Sequence, residues 1–95
     1  MREQVRKAQK VQYERFRGTD IRFNSQMRQR EIEQYCVLGD RDKELLDKAY
    51  RRYHLTARGY YKVLKVARTI ADLEGCDSIS KKHLTEAISY RNTYE

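Results

Sequence analysis

Residues 55–75, LTARGYYKVLKVARTIADLEG, decide the fold. From Tyr60 to Leu73 the apolar residues recur three and four apart, with Tyr60, Val63, Leu64, Ala67, Ile70 and Ala71 on one broad face and Val66 and Leu73 widening it. That period belongs to a helix that buries one side. Thr56 has the side-chain oxygen of a good N-cap, and Gly75 supplies a stop. A helix this apolar is expected to be the central element of a small domain. Its first turn is chemically unconventional. Arg58 sets a cation beside the positive end of the helix dipole, which costs roughly 0.3–1 kcal/mol, and Gly59 costs about 1 kcal/mol against alanine within a helix. Stability alone predicts other residues at both positions.

Outward from this segment the chain reads as helix throughout. There is no proline, three of the four glycines (Gly18, Gly39, Gly75) stand at joints, and no alternating Val/Ile/Thr run is long enough for a strand. A first helix is expected from about Glu3 to Phe16, with Val5, Ala8, Gln12 and Phe16 on a narrow face and charge elsewhere. GTDIRFN, 18–24, reads as a connector whose Asn24 caps a second helix, Ser25 to Tyr35, burying Met27, Ile32, Tyr35 and Cys36. Asp40 caps a third, DRDKELLDKAYRRYH, with Leu45, Leu46, Ala49, Tyr50 and Tyr53 on one side and its charges suited to the dipole. Ser80 caps a last helix carrying Leu84, Ala87 and Ile88. The expected fold is all-α, a compact bundle of four to five helices (18–95) preceded by a basic N-terminal linker helix (1–17).

Ninety-five residues make one domain that buries around two thirds of its unfolded surface. The hydrophobic fraction of 39% and charged fraction of 37% belong to a charge-rich helical protein, and no apolar run approaches the roughly 20 residues that span a bilayer. The opening MREQVRKAQK lacks the apolar stretch of a signal peptide, so a cytoplasmic location is expected, without a membrane partner. Cys36 and Cys76 have no CxxC spacing and are taken as reduced thiols, Cys36 in the core and Cys76 in a loop. Of the net charge of +7, residues 1–30 carry nearly all, with nine Lys/Arg against three Asp/Glu.

The free amides at a helix start favour an anion, above all a phosphate. Gly59 would let a ligand approach the backbone, and Arg58 adds a guanidinium able to grip two oxygens. Lys62 and Lys65 follow on the same polar face. Spacing alone leaves two readings open: an anion-seeking edge, or the solvated side of an amphipathic helix.

The stretch Leu55 to Gly75, with HLTEAISYR at 83–91, VRKAQKVQYERF at 5–16, FNSQM at 23–27 and REIEQYCVL at 30–38, closely resembles the C-terminal domain of the magnesium-chelatase-like AAA+ ATPases, and within them the competence-protein ComM group. The resemblance covers nearly the whole chain and is most specific from Thr56 to Gly75. It implies a helical lid on a nucleotide-binding core, with Arg58 at the match to the family's sensor-2 arginine, reaching the terminal phosphate of ATP (with Mg2+) held by that core. It also implies neighbouring subunits of a ring and a DNA-acting parent of the branch-migration helicase type. Lys62 and Lys65 are not fixed by the motif. The chain has no GxxxxGK[ST] phosphate loop, so this piece alone is not expected to bind or hydrolyse ATP, and Met1 opening at once on a family-like helix is read as a piece of a longer protein.

Other candidates are weaker. Tyr60 and Tyr61 have the chemistry of a base-stacking platform, but Tyr60 follows the core stripe and only Tyr61 is expected to face outward. His54 and His83 have no paired ligand at helical spacing, so no metal is expected, and no serine has a hydrolase signature. The basic N-terminal helix, with Arg2, Arg6, Lys7, Lys10, Arg15 and Arg17, is the nucleic-acid candidate. A solvated linker, or a helix docked on protein, explains the same charges. The alternative to the lid is a stand-alone basic helical DNA-binding module.

Overall fold

In the computed structural model, which describes residues 2–90, the helical period around Tyr60 becomes the longest element. The order is α1 (Arg2–Arg15), a 3-10 turn (Asn24–Gln26), α2 (Gln29–Tyr35), α3 (Asp40–Arg52), α4 (Ala57–Leu73) and α5 (Lys81–Ser89), with no strand among the described residues. The all-α bundle expected from sequence is what forms. Arg91 and the side chain of Arg2 lie outside the described residues.

α4 is central because its stripe is the widest: Val63, Leu64, Ala67 and Ala71 are buried, and α5, α1, the 3-10 turn and α2 all pack on it. α3 leans on α5. Phe16, Ile21, Met27, Ile32, Leu46 and Leu84 fill the space between them. Ala8, Gln12 and Phe16 of the expected α1 face are buried, whereas Val5 is 43% exposed, so only the C-terminal half of α1 is seated. Phe16 and Ile21, on either side of the division drawn at residue 17, enter the same core.

Three local expectations are corrected. The second helix is broken at Met27, whose extended backbone (φ −60°, ψ 135°) ends the 3-10 turn as its side chain drops into the core. Asn24 does not cap. Its side chain turns inward, and Gln26 Oε1 instead accepts the Arg22 and Phe23 amides at 2.8 and 3.1 Å. Gly39, not Asp40, is the N-cap of α3, with Asp40 and Asp42 in the first turn where the dipole favours them.

α4 ends in a Schellman turn. The Cys76 amide returns to the Ala71 carbonyl at 2.9 Å, the Gly75 amide to Asp72 at 3.1 Å, and Gly75 takes φ +74°. α3 ends the same way, with the Leu55 amide on the Tyr50 carbonyl at 3.1 Å, but here His54 occupies the left-handed position, at φ +54°. A side chain with a Cβ is strained there. His54→Gly should therefore stabilise the chain by about 0.5–1 kcal/mol, raising the midpoint of a thermal melt by a few degrees. An unchanged or lower midpoint would refute the strain.

Both cysteines are free, Cys36 buried and Cys76 exposed. Burial pushes the Cys36 thiol up to about 11, which leaves it protonated and unreactive near neutrality. Iodoacetamide should label Cys76 in the folded chain and Cys36 only in denaturant, as mass spectrometry would show. Equal native rates would contradict that burial. The sign of the shift also means that Cys36 supports folding below the ordinary thiol range and loses that support as pH climbs toward 11.

Candidate functional site

The start of α4 is built by Thr56, whose Oγ1 accepts the Gly59 amide at 2.9 Å while its carbonyl accepts the Tyr60 amide at 2.9 Å. Gly59 is buried. Its backbone N–H is thus engaged by the cap. Arg58 is exposed and has no ion pair with any described residue. Its position looks onto a groove of about 540 Å³ between α4 and the segment running from the 3-10 turn into α2. Arg58, Tyr61, Lys62 and Lys65 form one wall, Ser25, Arg28 and Gln29 the other, with Met27 and Ile32 beneath.

The lining carries four cations and no carboxylate. Arg28 is compensated from outside by Asp20 at 3.1 Å and Glu31 at 3.4 Å, which raise its pKa. Lys65 is not compensated in that way. Partial burial lowers its pKa, and the neighbouring Lys62 and Arg58 charges lower it further, while its Nζ donates to the Ser25 carbonyl at 3.3 Å. A site in which cations discourage one another's charge gains free energy when an anion enters. Tyr61, expected to face outward, is half-buried in this wall. Tyr60 reaches back to Asp47 Oδ1 at 3.5 Å and meets Tyr50 and Tyr61 edge-on at 5.5 and 5.7 Å, so neither ring is a free platform.

The candidates on α1 and just after it divide. Arg6, Lys7, Lys10 and Arg17 are exposed. Arg15 is not available to a polyanion, because its guanidinium donates to both oxygens of Asp72 at 2.8 Å and to Asn24 Oδ1 at 2.9 Å, between the rings of Phe16 and Tyr35. Asp72, 1% exposed, also receives Asn24 Nδ2 at 2.8 Å and lies 3.2 Å from Arg68, which donates on to the Cys76 and Asp77 carbonyls at 2.8 and 3.0 Å. The Asn24 amide is taken by Gln12 at 2.9 Å. Sequence reading missed this hub. Its signal was Arg68 and Asp72 standing at i, i+4 on the same column as Leu64, where a solvated pair has no place.

The fold also brings Glu74, Cys76 and His83 together, their ligand atoms within 4.8 Å. His83 Nδ1 accepts the Ser80 amide at 3.0 Å, while its buried Nε2 lies 3.5 Å from Glu74 Oε1 without a hydrogen-bond partner. Lys82 already holds that oxygen at 2.6 Å. These contacts fit a helix cap and an ion pair better than a metal site.

A buried polar hub under a helix that opens on an exposed arginine now meets its relatives. The sequence profile described as "Magnesium chelatase, subunit ChlI C-terminal" matches residues 1–91. The chain belongs to this family. Among curated relatives, Competence protein ComM of Haemophilus influenzae is 43% identical over 91 residues, 96% of this chain and 17% of that protein. Uncharacterized protein YifB of Salmonella typhimurium is 41% identical over 87 residues, 92% of this chain and 17% of that protein, and its Escherichia coli namesake is 40% identical over 70 residues, 74% and 14%. The chain thus spans about a sixth of the length of these relatives. Within the matched span Thr56 caps α4, and no described helix is long and apolar enough to cross a membrane.

Proposed function

We propose that this domain is the lid of a ComM-type AAA+ ATPase, with Arg58 acting as a sensor for the terminal phosphate of ATP, bound with Mg2+ on a core domain elsewhere in the parent protein. One observation carries the reading: the cation that the helix dipole resists is the one that stays exposed and unpaired on a carboxylate-free groove. Arg58 supplies a fork for two phosphate oxygens, and its charge is matched to a triphosphate rather than a diphosphate. Loss of that charge lets the lid move. The described residues contribute no phosphate loop, so hydrolysis is the parent's, and the helical surfaces away from α4 meet neighbouring subunits of a ring whose substrate is DNA.

The full-length parent bound to a non-hydrolysable ATP analogue tests this directly. Its structure should place the Arg58 guanidinium within hydrogen-bond distance of the γ-phosphate. A guanidinium turned away from the nucleotide in every subunit would end the reading.

A further inference from the structure

A second groove, of about 580 Å³, lies between α1 and the loop after it and shares no lining residue with the Arg58 site. Two aromatic rings rim it, Tyr13 at 66% and Phe23 at 50% exposure, both well outside the core. One exposed ring needs no explanation, whereas two on the rim of one groove make an apolar patch of the kind that marks an interaction site. Arg17 and Arg22 also line it, and no carboxylate does. Arg6 and Lys10 precede Tyr13 by seven and three positions, so they continue the same face up α1. Two acids stand beside the lining in sequence: Glu14, 3.7 Å from Arg17 with both side chains in solvent, a contact too exposed to hold the guanidinium, and Asp20, which pairs with Arg28 at 3.1 Å instead.

The loop is braced rather than slack. Thr19 Oγ1 donates to the Phe16 carbonyl at 2.6 Å and accepts the Ile21 amide at 3.1 Å, while Gln26 holds the Arg22 and Phe23 amides. Phe23 also sits at an N-cap position, where a polar side chain would serve local stability better. The chain therefore presents its ring outward at a local cost.

From this juxtaposition we infer that the Tyr13–Phe23 groove binds single-stranded nucleic acid, with bases stacking on the two rings and phosphates running along Lys10, Arg17 and Arg22. An acidic protein would satisfy the cations but not explain two open rings. A duplex would satisfy the phosphates but keep its bases stacked on one another, out of the rings' reach. The inference does not depend on Arg58.

Fluorescence anisotropy of the 95-residue chain with a labelled oligo-dT of about 12 nucleotides at about 50 mM salt tests it. Tyr13→Ala/Phe23→Ala should weaken binding at least about 10-fold with the salt slope unchanged. Lys10→Gln/Arg22→Gln should reduce the slope by roughly 1.4. Since all four side chains are exposed, the circular dichroism melts of both variants should match the parent chain, and Tyr50→Ala is the control aromatic. An oligo-U of the same length should bind comparably. Failure to bind at low salt, duplex binding as tight as single strand, or aromatic variants binding as well as the unaltered chain would each overturn the inference.

Discussion

Asp72→Ala is expected to cost the isolated chain about 3–5 kcal/mol, the loss typical of stranding a buried partner charge. The carboxylate takes two hydrogen bonds from Arg15 and one from Asn24 and faces Arg68 at 3.2 Å, with Asp72 and Arg68 only 1% and 4% exposed. Without it, two guanidinium groups and an amide remain with their water already removed. A domain of this size is stable by roughly 5–14 kcal/mol, so about a fifth or more of the total is at stake. The thermal midpoint should fall by about 15–30 °C. Arg15→Ala removes only one partner and should cost less, releasing α1 to protease before the rest of the bundle melts. A melt of Asp72→Ala within a few degrees of the unaltered chain would show that the hub does not hold α1 in place.

The second large effect has the opposite relation to stability. On the proposed lid reading, Arg58→Ala in the full-length parent should cut ATP turnover by about 100-fold, the scale seen when one preorganised donor is removed from developing charge. Arg58→Lys should recover only part of this, because an ammonium keeps the charge and loses the two-pronged fork. In the isolated domain the same alanine should leave the melt unchanged or raise it slightly. Arg58 is exposed, alanine is the better helix former, and removing a cation from the first turn returns about 0.3–1 kcal/mol. A variant equal or better in stability but impaired in turnover separates a phosphate-sensing role from a structural one. Unchanged turnover in the full-length parent would take Arg58 out of that role.

Much of the fold was legible because burial on α4 is periodic: Val63, Leu64, Ala67 and Ala71 fall where a helical stripe requires. What was not legible was polar burial. Arg15 reads as one more cation in a basic run and Asn24 as an ordinary cap, since nothing within ten residues of either reveals a carboxylate supplied from position 72. The Arg58 edge was readable from the i, i+4, i+7 spacing of Arg58, Lys62 and Lys65. Its opposite wall was not, because Ser25 and Arg28 arrive through a break at Met27 that a continuous helical period hides.

The junction at Asp72 also constrains the order of assembly. Arg15 and Asp72 are 57 positions apart, and drawing such ends together costs roughly 3–4 kcal/mol of chain entropy beyond a constant. The turn joining α4 to α5 needs no such journey, since Arg68 reaches the Cys76 and Asp77 carbonyls eight and nine positions away. Loop closure alone therefore favours an order in which the C-terminal pair of helices settles first and the opening helix docks afterwards, onto a carboxylate already in place.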